Sequence, residues 1–327
     1  MSRRDIGYGL LVVLGLVAPF VLYPIFLMQS LCFALFACAF NLLIGYTGLL
    51  SFGHAVFLGM AGYTTGHAIK AWGLPPELGL LAGTAIAAVL GYLIGSLAIR
   101  RQGIYFAMIT LALAQMMYFF CLQAKFTGGE DGLQGVPRGN LFGVINLAND
   151  TTLYYVVFAI FLLGFWIIHR TIHSPFGQVL KAIRENEPRA LSLGYDVDKY
   201  KLLAFVISAG LSGLAGSTKT LVLGFETLTD VHWHTSGEVV LMTLLGGMGT
   251  VLGPVAGAFI VKTLENRIGD LGGFLANTTG IEWFRTIGDS VTIVTGLIFV
   301  ICVLAFRRGI VGELAALMRR TRARRVS

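Results

Sequence analysis

Four groups of residues have the types and spacing for chemistry. Gly216-Ser217-Thr218-Lys219-Thr220 imitates a phosphate-binding loop. That pattern requires glycine where Thr218 stands, and no strand-loop-helix context surrounds it, so no nucleotide site is expected in this chain. His232-x-His234 offers two imidazoles to a metal, but beside Trp233 at the edge of an apolar run they read as an interfacial belt. Glu130-Asp131, among the glycines of residues 127–137, lacks the alternating ligand positions of a calcium loop. His54 is the sharpest single residue: a histidine within a membrane is a functional candidate, and the alternative is a packing role, with its ring hydrogen-bonded to a neighbouring carbonyl. No nucleophile lies paired with a base, so no catalytic residue is expected, nor any metal or cofactor bound by the chain itself.

The elements that carry these residues are set by composition. The chain has 327 residues, 56% hydrophobic and 13% charged, with a mean hydropathy of +0.77. Such a balance excludes a soluble globular domain. Continuous apolar runs without strand-like alternation predict an all-α polytopic membrane protein of about ten transmembrane or re-entrant helices. They fall near residues 6–27, 28–44, 78–99, 104–122, 153–168, 202–223 and 286–306, with a glycine-rich stretch after residue 44 and two shorter segments at 238–245 and 251–265. Ser2-Arg3-Arg4 before the first run imitates a signal peptide, yet no small-x-small cleavage site follows, which predicts an uncleaved first crossing. Cys32, Cys38, Cys121 and Cys302 lie in apolar runs and read as packing residues without disulfides.

A net charge of +7 raises nucleic acid as a partner, but the placement of the charges argues for a membrane. With both termini cytoplasmic, most basic residues, among them Arg3, Arg4, Arg100, Arg101, Arg170 and Arg307-Arg308, fall on one side, as the positive-inside rule of a bacterial inner membrane requires. The basic tail, residues 309–327, then anchors topology on anionic lipid. Lys219, Glu226, Glu238, Lys262, Glu265 and Asp289 lie near span ends and are expected at the interfaces.

The glycine-rich stretch, with Gly45, Gly48, Ser51, Gly53 and His54, predicts a broken or tightly packed element beside a translocation path. A second glycine cluster, Gly246, Gly247 and Gly249, repeats the Gly-x-x-Gly spacing and suggests corresponding points of two structural halves. Gly79, Gly83, Ala87, Gly91 and Gly95 form a ridge for close helix packing. Ser208, Ser212, Gly216 and Thr220 form a weakly polar stripe that packs or lines a path.

One charged segment, residues 173–199, interrupts the apolar chain. Phe176, Val179, Leu180 and Ile183 recur at helical spacing opposite Gln178, Lys181, Arg184 and Glu185, the mark of an amphipathic helix outside the bilayer. Pro188 ends it and opens a second short helix over 188–193; Gly194 then supplies a left-handed stop. Asp196 or Asp198 caps the following span, Asp198 being the nearer to its expected start.

The string Ala182-Ile183-Arg184-Glu185-Asn186-Glu187, the spacing Glu187-x-x-Ala190-x-x-x-Gly194 and the run Lys199-Tyr200-Lys201-Leu202 resemble the coupling segment of ABC importer permeases of the branched-chain amino acid family, LivM-type. Thr127-Gly128-Gly129 with Gly132-Leu133-x-Gly135, in the external loop 123–151, resembles a second family string, and residues 246–254 a third. Pro188-Arg189 departs from the alanines that relatives often carry there. The resemblance implies that Phe176, Ile183, Arg184, Glu187, Ala190 and Gly194 couple to ATPase subunits, with ATP held by those partners. It further implies a LivH-type second permease, LivG/LivF-type ATP-binding subunits, a periplasmic substrate-binding protein, and a branched-chain or other small amino acid as cargo; the external loop is read either as the docking surface for that binding protein or as an ordered cap on the bundle. Urea, short amides or aromatic acids are the alternative cargo, and a stand-alone secondary transporter or channel the alternative class.

Overall fold

The computed structural model describes residues 12–279 and seven positions between 296 and 313. Arg3, Arg4, Asp289, Cys302, Arg307, Arg308, most of the last expected crossing and the arginines of the tail lie outside the described residues. The described helices are α1 (Pro24–Tyr46), α2 (His54–Lys70), α3 (Pro76–Ala98), α4 (Ile104–Gln123), α5 (Asp150–His173), α6 (Pro175–Glu185), α7 (Glu187–Ser192), α8 (Val197–Leu223), α9 (Trp233–Gly246) and α10 (Gly253–Thr279). A small antiparallel hairpin, β1 (Asn140–Leu141) and β2 (Ile145–Asn146), interrupts the loop between α4 and α5.

Five of these helices, α1, α3, α4, α5 and α8, are long and apolar enough to cross a membrane. The chain is a multi-pass membrane protein. Its first break differs from the expectation: a 3-10 turn at Ala18–Phe20 ends the first helical stretch, and α1 opens at Pro24 instead of near residue 28. Proline is well placed in a first turn, where no backbone N–H is missed, and clashes anywhere further in.

Helices α1 and α8 form the centre. Helix α1 packs against α5, α8, α9 and α10, while α8 packs against α1, α2 and α3. Small residues permit this closeness: a Cβ on Gly216 would strike the Leu58 carbonyl, and one on Gly91 would strike Ala209. The ridge on α3 thus packs on α2 and α8, with Gly83 against Thr65 and Ser217, whose side chains hydrogen-bond each other at 2.8 Å.

Helix α2 does not begin at the surface. Its first residue, His54, reaches Ser208, which in turn donates to the carbonyl of Ala39. Ala39 lies about two turns, roughly 10 Å, before the end of α1. The chain therefore leaves α1 at Tyr46, dips back through residues 47–53 and restarts inside the bundle, as the glycines predict.

Two ends can be distinguished. At one, helices α6 and α7 form an elbow; at the other, residues 123–150 cover the bundle. There Lys70 donates to the Gln134 carbonyl, and Leu133 and Glu226 pair through both backbone hydrogen bonds at 2.9 Å.

Candidate functional site: the elbow and the two glycine-rich loops

The elbow is built by its caps. Ser174 accepts from the Gly177 N–H and Pro175 opens α6; Asn186 ends α6 and accepts from the Arg189 N–H to open α7. Helix α7 therefore starts at Glu187, one residue before Pro188, which is accommodated in the first turn. Gly194 takes a φ of 87°, the left-handed conformation that stops a helix. Asp196, not Asp198, then accepts from the Lys199 N–H, so α8 begins at Val197, five residues earlier than its apolar run suggests.

Apolar residues hold the elbow to α8. Ile183, Ala190 and Val197 form a small buried cluster flanked by Val179 and Tyr200, and the Phe176 ring stacks on Tyr200 at 5.6 Å. Glu187 adds a charge-assisted contact: it pairs with the buried Lys201 ammonium at 2.7 Å and accepts from Gln102 at 2.8 Å. Of the six expected coupling residues, Phe176, Ile183, Glu187 and Ala190 thus face α8, and Gly194 shapes the turn.

The sixth, Arg184, points elsewhere. Its Nη1 donates to the Gly45 carbonyl at the end of α1, and its side chain lies against Gly48 and Gly249. A carbonyl in the last turn of a helix lacks an intrahelical donor, so a guanidinium there satisfies both the hydrogen bond and the helix dipole. The two glycine-rich loops meet at this point. Asn41 accepts from the Gly249 N–H and donates to the Thr250 carbonyl, both at 2.9 Å, and the Tyr46 hydroxyl donates to the Gly249 carbonyl at 3.0 Å. Thr250 folds its own loop by donating to the Gly247 carbonyl at 2.7 Å. Gly45, Tyr46, Lys181, Arg184, Glu185 and Gly249 enclose a cavity of about 400 Å³. A single arginine on the elbow thus touches both halves of the Gly-x-x-Gly repeat.

Residues 22–303 match the family described as branched-chain amino acid transport system / permease component. The chain belongs to that family. Among relatives, the high-affinity branched-chain amino acid permease LivM of Escherichia coli is 27% identical over 269 residues, 74% of this chain and 62% of its own length. The autoinducer 2 import permease LsrC of Klebsiella pneumoniae is 28% identical over 192 residues, covering 55% of this chain and 52% of its own. The ribose import permease RbsC of Bacillus subtilis is 29% identical over 210 residues, covering 60% of this chain and 58% of its own. These matches span less than two thirds of each relative's length.

In this member of the family the remaining expected path residues lie deep. His54 is fully buried, ringed edge-on by Phe40, Phe57 and Phe205 at 5.1 to 5.5 Å. Because Ser208 gives its proton to the Ala39 carbonyl, His54 Nε2 is the donor in the 2.9 Å contact with Ser208. Ser51 accepts from the Gly53 N–H at 3.2 Å, and the buried Ser212 hydroxyl meets no partner among the described residues. Gly246 and Gly247 end α9, where a Cβ on Gly246 would strike the Gly253 carbonyl.

Of the ionisable residues expected near span ends, Lys219, Glu226 and Lys262 are buried within two ion-pair clusters, while Glu238 and Glu265 are partly exposed. Lys219 is 4% exposed and pairs with Asp230 at 2.5 Å and Glu226 at 3.4 Å; Glu226, fully buried, also accepts from Thr220 at 2.6 Å. Lys262, 10% exposed, pairs with Glu265 at 2.8 Å and Glu238 at 3.3 Å, with its ammonium 3.7 Å from the Phe33 ring centre. Position along a span says nothing about rotation: Lys262 turns toward Phe33 of α1, and Lys219 toward Glu226 and Asp230 in the loop after α8. In the loop after α8, burial raises the Glu226 carboxyl well above the usual carboxylate range. Asp230 is also penalised by burial, but the Lys219 ammonium and the Thr227 hydrogen bonds outweigh it and hold its pKa low.

The decoys are absorbed by the fold. Gly216 to Thr220 runs through regular α8, and His232 caps α9 against the rings of Tyr118 and Trp233. Asn41, which joins the two glycine-rich loops, has no place among the expected site residues. Its signal is an amide deep in the apolar run of α1, which must find hydrogen bonds or destabilise the span.

Proposed function

We propose that this chain is the transmembrane subunit of a binding-protein-dependent ABC importer in a bacterial inner membrane, carrying branched-chain or other small amino acids. Its elbow would seat in separate LivG/LivF-type ATPase subunits on the cytoplasmic side, with a LivH-type permease beside it and a periplasmic binding protein on residues 123–151. The observation that carries this reading is the contact of Arg184 with Gly45. It gives a protruding segment a direct handle on the break between α1 and α2 and, through Asn41, on the break between α9 and α10. Closure of ATPases around the elbow would move α6, and Arg184 would draw both glycine loops with it, opening the path to alternate sides. About ten crossings with both termini inside complete the reading.

A second reading is favoured by one observation. Two buried lysines, each between two carboxylates, are the kind of groups on which a stand-alone secondary transporter couples ion movement. Both are fully paired, which suits a structural role. Purification of the chain in mild detergent together with the products of its neighbouring genes decides: co-purifying ATPase subunits support the importer, and their absence the secondary transporter. Labelling a cysteine placed at Ser192 in intact cells tests the side: reaction with an impermeant reagent would put the elbow outside and end the coupling mechanism.

A further inference from the structure

A second cavity, of about 580 Å³, lies between the dipping loop and α4. Its walls include Leu49, Leu50, Phe52, Met108, Leu111 and Trp233, and no charged side chain contributes to it. Loop and helix are tied together: the Phe52 N–H donates to the Thr110 hydroxyl at 3.2 Å, and a Cβ on Gly53 would crowd the Thr110 carbonyl. The cavity wall is therefore joined to the segment that Arg184 grips at its other end.

The backbone of this loop says what fills the space. Among the described residues, no acceptor meets the N–H of Leu49 or Leu50, both of which line the cavity. Backbone without partners at this depth is tolerated only where water reaches it. A wetted loop beside apolar walls suits an amphipathic solute, with a hydrocarbon part against Phe52, Met108 and Leu111 and a charged part left to the loop and its water. A polyhydroxylated solute would find a single side-chain donor on these walls, the Trp233 indole N–H, and would leave most of its hydroxyls unpaired.

We propose that this cavity is a transit site for the aliphatic side chain of the cargo, so that the permease itself, and not only a binding protein, selects branched aliphatic amino acids over sugars. The proposal rests on the importer reading. Its test uses the complete importer in nanodiscs with its binding protein and a diazirine analogue of leucine as photolabel. Label is expected on peptides containing residues 49–52 and 104–111, suppressed by excess leucine and not by ribose. Label on other segments of the chain, or labelling of these peptides by a diazirine fatty acid in place of the leucine analogue, would overturn the proposal and leave the importer reading standing. Because it reads the unaltered chain, this measurement does not depend on a variant folding. In parallel, Met108→Trp and Leu111→Asn are expected to slow leucine uptake at least tenfold with ATPase subunits still co-purifying, and unchanged uptake would count against the site. A complex that contains no ATPase would instead overturn the importer reading itself.

Discussion

Arg184 and Gly45, 139 residues apart in sequence, are joined by a hydrogen bond from the guanidinium Nη1 to the backbone carbonyl. The donor sits on an exposed amphipathic helix and the acceptor on the last turn of a buried one. The contact therefore crosses from the protruding elbow into the bundle at the point where the bundle is broken.

Replacing Arg184 by alanine removes this contact without touching the apolar cluster of Ile183, Ala190 and Val197. Uptake by the reconstituted importer should fall at least tenfold while ATP hydrolysis and assembly persist. Parallel assays of uptake and phosphate release check this, and a proportional fall in both would show that Arg184 serves assembly alone.

Asn41→Leu leaves the Gly249 N–H and the Thr250 carbonyl without their partner. Loss of two largely buried hydrogen bonds should destabilise the chain by about 1–3 kcal/mol, read as a lower unfolding midpoint in detergent. Asn41→Asp keeps an acceptor for Gly249 and loses the donor to Thr250, so it probes the two bonds separately.

Glu187→Ala strands the Lys201 ammonium, which is 3% exposed, and should cost about 1–3 kcal/mol, since Glu187 is itself partly exposed. Adding Lys201→Met removes the stranded charge at similar volume and should recover most of the loss. Thermal unfolding of the unaltered chain and the single and double variants gives the comparison, and a Glu187→Ala midpoint equal to that of the unaltered chain would show that the pair contributes nothing.

The Lys219 cluster predicts an unusual dependence on pH. Burial raises the Glu226 pKa above its unfolded value, so its contribution to stability is fully present below the unfolded pKa and is lost as pH rises through the folded one. Asp230, held low, contributes above its unfolded pKa, and its share is lost as pH falls through the folded value. Glu226→Gln should therefore flatten the alkaline decline of the unfolding midpoint and leave the acid limb in place. Midpoints measured across both limbs check the assignment.

Much of this arrangement was legible in the residues. The helical spacing of Phe176, Val179, Leu180 and Ile183 gave the elbow, and Gly194 its stop, because amphipathic period and left-handed backbone are local properties. The glycines of residues 45–53 likewise announced a break. What was not legible depended on rotation and distance. Lys219 and Lys262 sit near positions that an apolar run would place at its edge, and only their tertiary partners, Glu226 and Asp230 for one and Phe33 with Glu238 and Glu265 for the other, turn them inward. Helix α8 opens at Val197 because Asp196 caps it, whereas the hydrophobic pattern alone starts at residue 202. Nothing within the chain's local sequence tells Asn41 that its partners lie more than 200 residues away.

Helix α8 runs unbroken for 27 residues, about 40 Å, and is pinned near each end by a lysine, Lys201 to Glu187 and Lys219 to Asp230. A rod fastened this way can tilt or slide but cannot stretch. Any displacement imposed on the elbow would then arrive undiminished beneath Leu133, and under the proposed importer function a probe fixed beside Leu133 would register nucleotide turnover without ever approaching a nucleotide.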